Sequence, residues 1–139
     1  MNCPACKELM VVLELDDVEI DYCIRCQGIW LDAGELELLL ENSHRRDTFL
    51  SSFQVEINAG EKKKKCPMCR KKMNKLSLPG SEQDSAQRQK KILIDGCPGQ
   101  HGIWFDRGEL YETLKKGGLT PSDPVITWLR EVFRDGLSE

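Results

Sequence analysis

Seven cysteines stand in a chain of 139 residues: three Cys-x-x-Cys pairs (Cys3/Cys6, Cys23/Cys26, Cys66/Cys69) and one further cysteine, Cys97. This spacing suits a metal, because thiolates hold zinc tetrahedrally at about 2.3 Å and two cysteines two residues apart reach one ion from a tight turn. Cys3, Cys6, Cys23 and Cys26 supply a complete four-thiolate set of the closed, structural kind. Cys66, Cys69 and Cys97 supply three members of a second. The residue matching Cys26 is Gln100, a poor zinc ligand, but His101 follows it, and the longer imidazole can reach an ion from there. The expected cofactors are two zinc ions, one held by the four cysteines and one by Cys66, Cys69, Cys97 and His101. Iron in an all-sulfur site is the alternative. A redox use of Cys-x-x-Cys expects a strand before the pair and a helix straight after it, whereas Cys6 runs into a β-rich segment.

An enzyme would need an open position on the metal. Without His101 as ligand, water could occupy the second site and Glu109 could act as base, a minimal zinc hydrolase. Glu35 occupies the matching place beside the complete site, where no water can bind, so a helix-capping role accounts for both glutamates. No nucleophile–base pair, phosphate loop or cofactor fingerprint occurs elsewhere. The chain therefore reads as non-catalytic, with no small-molecule substrate. Trp30 and Trp104 read as core rather than as base-stacking platforms, since a module of about 45 residues has little else to bury. His44, among Ser43, Arg45 and Arg46, reads as a solvated residue without a role.

The elements that position these residues come from an internal repeat. Residues 20–36 recur without gaps as 94–110, with 10 of the 17 positions identical. Upstream, Cys3-Pro4-Ala5-Cys6 matches Cys66-Pro67-Met68-Cys69, and Met10 and Met73 follow at the same distance. The second copy carries an 11-residue insertion in the polar stretch 79–89, an exposed hairpin loop. Leu9 to Leu15 with Val18 to Tyr22, and Met73 to Leu78 with Lys91 to Asp95, read as β-hairpins. Asp32-Ala33-Gly34-Glu35 and Asp106-Arg107-Gly108-Glu109 have capping-box spacing, with the Asp side chain expected to cap an amide. They predict helices over Ala33–Asn42 and Arg107–Lys116, the second stopped by Gly117-Gly118. Gly28 and Gly102 are expected to provide a positive φ after the second knuckle. A third helix is expected near the C-terminus, with Asp123 as cap, Pro124 at its first position and Gly136 at its end. Val125, Trp128, Leu129, Val132 and Phe133 form its apolar stripe.

The net charge of -3 conceals an asymmetry: residues 1–60 carry 4 Lys/Arg against 12 Asp/Glu, and residues 61–116 carry 14 against 7. Lys62, Lys63, Lys64, Lys65, Arg70, Lys71, Lys72 and Lys75 form a basic cluster around a knuckle, either a solvated linker or a phosphate-binding surface. No apolar run approaches the roughly 20 residues of a membrane span. The N-terminus has no secretory pattern, so a cytoplasmic, reducing setting is expected.

The run Cys-Pro-x-Cys, then Cys23-Ile24-Arg25-Cys26-Gln27-Gly28-Ile29-Trp30-Leu31-Asp32-Ala33-Gly34-Glu35-Leu36-Glu37, resembles the transcription-factor-IIB-type zinc-ribbon family. The resemblance covers residues 2–41 closely and residues 66–116 with two departures, the insertion and the Gln100/His101 shift. It implies zinc binding by the seven cysteines and, by its name, an association with transcription. The resulting expectation is a small α+β chain of two zinc-ribbon hairpin modules, each followed by a short helix: 1–44, a linker over 45–65 that can be helical, 66–118, and a C-terminal amphipathic helix in 119–139. Its expected function is protein recognition or self-association through the acidic first ribbon and the C-terminal stripe. Nucleic-acid binding by the second ribbon is the alternative, and a zinc hydrolase at the second site is the third.

Overall fold

A computed structural model describes residues 1–15, 18–41, 43–44, 46–56, 62–77, 92–120 and 123–132. Each copy begins with a knuckle and continues into a hairpin: β1 (Val11–Leu15) with β2 (Val18–Tyr22), and β5 (Asn74–Ser77) with β6 (Leu93–Gly96). A second knuckle then leads into a four-residue strand, β3 (Ile29–Asp32) or β7 (Gly102–Phe105). The segment between the copies holds helix α2 (Arg46–Ser51) and strand β4 (Gln54–Glu56). The insertion 79–89 and Gly136 lie outside the described residues, as do Phe133 and the side chain of Val132.

All seven strands form one antiparallel sheet in the order β1-β2-β3-β7-β6-β5-β4. The copies meet at its centre, where β3 pairs with β7 in the register Ile29↔Phe105, Trp30↔Trp104, Leu31↔Ile103 and Asp32↔Gly102. Repeat-equivalent tryptophans thus face each other across the join, and the flanking pairs Ile29↔Phe105 and Leu31↔Ile103 are repeat-equivalents of each other. The sheet is continuous from one copy into the other, so the first copy does not end at a surface of its own.

Strand alternation divides the apolar residues between the two faces. Ile29, Leu31 and Phe105 join Ile20 and Ile94 in a core covered by the helices. Trp30 and Trp104, both fully buried, point to the opposite face with Met10, Met73 and the cysteines. The two tryptophans are core, and no surface of either is left for a base to stack on. Gly28 and Gly102 differ from expectation, since neither has a positive φ. They are glycines for space: a Cβ on Gly28 would collide with the Trp104 ring, and one on Gly102 with the Trp30 ring and the Leu31 carbonyl. Each copy leaves room for the other copy's tryptophan.

The helices are shorter than expected: α1 spans Glu35–Leu39 and α3 Glu109–Lys116. Their N-caps are Gly34 (φ 91°) and Gly108 (φ 81°), without a side-chain cap. Half of each expected capping box forms. Glu35 Oε1 accepts the Asp32 amide at 2.7 Å, and Glu109 Oε1 accepts the Asp106 amide at 2.8 Å. The Asp side chains go elsewhere, because Trp30 Nε1 donates to Asp32 Oδ1 at 2.8 Å and Trp104 Nε1 to Asp106 Oδ1 at 2.9 Å. A buried indole N–H requires an acceptor, and this demand outranks an exposed helix amide that water can satisfy. Near the C-terminus α4 (Pro124–Val132) begins at proline as expected. The Asp123 carboxylate accepts the Thr120 amide at 2.7 Å. Val125, Ile126 and Leu129 of α4 are buried in the common core, with Trp128 packed against it. The described part of the stripe is internal. No helix among the described residues is long and apolar enough to cross a membrane.

Candidate metal centres

Four knuckle turns bring the ligand candidates together. In each, the amide of the first cysteine bonds to a carbonyl beyond the second knuckle residue, as in Cys3 N to Glu8 O (2.7 Å), Cys23 N to Gly28 O (3.0 Å), Cys66 N to Lys71 O (2.8 Å) and Cys97 N to Gly102 O (3.1 Å). The turn closes on a left-handed residue: Lys7, Gln27, Arg70 or Gln100, with φ between 62° and 68°. In the first copy Cys26 precedes this residue. In the second, Gln100 itself adopts the left-handed turn and His101 follows it. The turn closes one residue earlier, which is how the candidate ligand position moves from Cys26 to His101.

The donor atoms of Cys3, Cys6, Cys23 and Cys26 lie within 4.8 Å of one another, and so do those of Cys66, Cys69, Cys97 and His101. In the first set the sulfurs of Cys3 and Cys26 are 3.6 Å apart and those of Cys6 and Cys23 are 3.3 Å apart. In the second, Cys69 and Cys97 are 3.6 Å apart, and His101 Nδ1 is 3.3 Å from Cys97 Sγ. A tetrahedron of thiolates around zinc has edges of about 3.8 Å, so the spacing fits one ion per set. All seven cysteines are free thiols.

Backbone amides aim at these sulfurs and prepare the thiolate form. Ala5 N lies 3.3 Å from Cys3 Sγ, Met68 N 3.4 Å from Cys66 Sγ and Gly99 N 3.3 Å from Cys97 Sγ. Burial pushes the thiols of Cys3, Cys26 and Cys66 up. Burial acts in the same direction at Cys97 and Cys23, but hydrogen bonds outweigh it there. The amides of His101 and Gly99, with the His101 ring, bring Cys97 down to about 6. The amides of Cys26 and Arg25, with the Cys6 and Cys26 side chains, bring Cys23 to about 7. Each set therefore contains one thiol that gives up its proton near neutrality, and both sets could hold a metal ion. With four donors of the right kind, each set is consistent with zinc.

Residues 2–42 match one family model. Its description is a transcription factor zinc-finger, a zinc ribbon of the TFIIB type. The match covers the first copy alone and supports zinc binding there. No curated protein and no solved structure matches the chain.

The structure redraws the basic cluster. Lys75 is 1% exposed, and its Nζ lies 2.7 Å from Asp95 Oδ1, a carboxylate with no exposure. Lys64 is turned inward as well, 3.9 Å from Asp95 and 3.5 Å from Asp106. Neither is available to a phosphate. Lys62, Lys63, Lys65, Arg70, Lys71 and Lys72 remain exposed. His44 is exposed, outside both donor sets. Two features escaped the sequence reading. The Asp that clamps the Trp two residues before it is also the first residue of a capping-box pattern, so nothing distinguished the two roles. The Lys75–Asp95 pair depends on strand register, which places the two residues opposite each other.

Proposed function

We propose that the chain is a non-catalytic binding module built from two zinc ribbons, folded by two zinc ions held by Cys3, Cys6, Cys23 and Cys26 and by Cys66, Cys69, Cys97 and His101. The observation that carries this reading is that each donor set has four members within reach of one ion. A site with four protein ligands has no position left for a reacting water. Glu109, the one base a hydrolase could have used, accepts the Asp106 amide just as Glu35 accepts that of Asp32. The metal would supply folding energy and fixed geometry. The description of the matched family favours a role in transcription, in the cytoplasm or wherever polymerase works.

In this reading the C-terminal stripe is not the contact surface, because its buried described members, Val125 and Leu129, serve the chain's own core. A partner then meets the opposite side of the sheet, where the knuckles lie. Cobalt substitution tests the central claim. Two cobalt ions per chain, both with the intense visible bands of four-coordinate thiolate sites, are expected. A five-coordinate, water-bearing spectrum at the second site would refute it.

A further inference from the structure

The first knuckles of the two copies face each other across a cavity of about 410 Å³. Its walls are repeat-equivalent: Asn2 and Lys65, Pro4 and Pro67, Lys7 and Arg70. Lys7, Lys65 and Arg70 bring three cations to it, and no carboxylate lines it. Among the described residues none of these three side chains makes an ion pair, although the chain as a whole is acidic. Cys3 and Cys66, which also line it, already accept the Ala5, Cys6 and Met68 amides at their sulfurs, which leaves the ammonium and guanidinium groups for another anion. Lys7 and Arg70 are also two of the four left-handed knuckle residues; the other two, away from the cavity, are the neutral Gln27 and Gln100. The turn thus does not require a cation, and cations occupy it only where it faces this cleft.

We infer that the cleft between the two knuckles binds the phosphates of a polynucleotide backbone, with both copies contributing. This rests on the binding-module reading above and names its partner class. Phosphate fits the chemistry because Arg and Lys donors converge on it. A polymer fits better than a single anion, because exposed Lys62, Lys63, Lys71 and Lys72 extend the positive surface beyond the cavity. Lys65 and Lys72 are paired by a β-bridge, which carries the charge from the cleft to its flank. Binding goes through the phosphates rather than through stacked bases, because both tryptophans that could stack on bases are buried.

The test uses the full zinc-loaded chain and a labelled oligonucleotide, as duplex DNA and as RNA, in anisotropy titrations over a range of salt. Lys7→Gln with Arg70→Gln removes one cation from each wall. Glutamine already occupies the equivalent backbone conformation at positions 27 and 100, so the turns persist. Arg46→Gln with Lys116→Gln, away from the cleft, is the charge-matched control. The cleft pair should weaken binding by roughly tenfold or more and reduce the log–log salt slope by about 2, as expected for two lost phosphate contacts. The control should leave the slope unchanged, and both proteins should retain two zinc ions. Equal losses in the two variants overturn the inference, as does binding of polyglutamate as tight as that of the oligonucleotide. Binding confined to DNA or to RNA identifies which backbone is bound and supports the cleft. If zinc fills two closed sites but no oligonucleotide binds, the cleft assignment fails while the metal assignment stands. If cobalt reports an open second site, it is the module reading that fails.

Discussion

The ion pair buried under the second site makes an uneven prediction for its two partners. Lys75 and Asp95 have exposures of 1% and 0%, and Lys75 Nζ lies 2.7 Å from the carboxylate. Removing one partner of a buried pair costs about 3–5 kcal/mol, because the other is left charged in a poorly solvated place. Asp95→Leu should incur that cost in full, since it strands Lys75 and also releases Lys64. Lys75→Met should be milder. Asp95 keeps Lys64 at 3.9 Å, and the ratio of the two distances preserves about 0.7 of the attraction. Burial also holds Asp95 above the usual carboxylate range, so it can take up a proton once Lys75 is gone. A cost of about 1–2 kcal/mol follows for Lys75→Met. The double variant, with an apolar pair of similar volume, should return to within about 1 kcal/mol of the parent. For a chain of this size Asp95→Leu corresponds to a fall in Tm of roughly 10–20 °C. Urea and thermal unfolding at a fixed free-zinc level, with zinc content measured in each variant, read these values. Equal costs for the two single variants would refute the role of Lys64. A double variant as unstable as the sum of the singles would refute the pairing itself.

Three other perturbations follow from the site and the sheet. Gly28→Ala should cost about 1–3 kcal/mol by crowding Trp104, and Gly102→Ala should cost more because the Leu31 carbonyl cannot move aside; denaturation midpoints that rank the two in reverse would contradict the packing described. His101→Ala should weaken zinc binding at the second site by more than about 100-fold, the upper end of the effect of losing a mere supporting group, whereas Gln100→Asn should change it little; competition with a metallochromic chelator reads both. Burial, and then Asp32, raises the pKa of Asp21. The folded chain therefore holds this proton more tightly than the unfolded chain, and stability present at low pH is lost as pH rises through the raised value. Asp21→Asn should be more stable than the parent, by a margin that widens as pH rises from the ordinary carboxylate value through the raised one, and a narrowing margin would reverse the sign. Val12 stands opposite Asp21 as Lys75 stands opposite Asp95, so Val12→Lys should recover about 0.2–1 kcal/mol at neutral pH.

The ligand candidates were legible because metal chemistry restricts both residue type and spacing; even the step from Gln100 to His101 could be read, since glutamine cannot replace a thiolate. The hairpins and the beginning of α4 followed from β-branched runs and from proline. The join between the copies did not. Ile29–Asp32 is a four-residue strand with three successive buried residues, and so short a run has no alternation to distinguish a strand from a covering loop. Its partner lies in the other copy, and pairing across such a distance leaves no local trace. Lys75 sat in a lysine-rich stretch and looked like solvated charge until the register placed Asp95 beside it. The C-terminal stripe was recognised as a stripe, but which surface it covers depends on the finished core.

The central pairing of β3 with β7 also imposes a schedule on synthesis. The first four cysteines have all been translated by residue 26, so the first ion can be captured early. Trp30 must then wait for the strand that ends at Phe105, another 75 residues. At a translation rate of about 5–20 residues per second this interval is roughly 4–15 s. Throughout it the nascent chain presents an open strand edge beside an uncovered indole. Ribosome-bound chains arrested before Gly102 should leave the Trp30 region unprotected from hydrogen exchange, and chains released after Phe105 should protect it. The half-made protein, rather than the finished one, is thus the form most exposed to mispairing, and metal captured at the first site cannot by itself end that exposure.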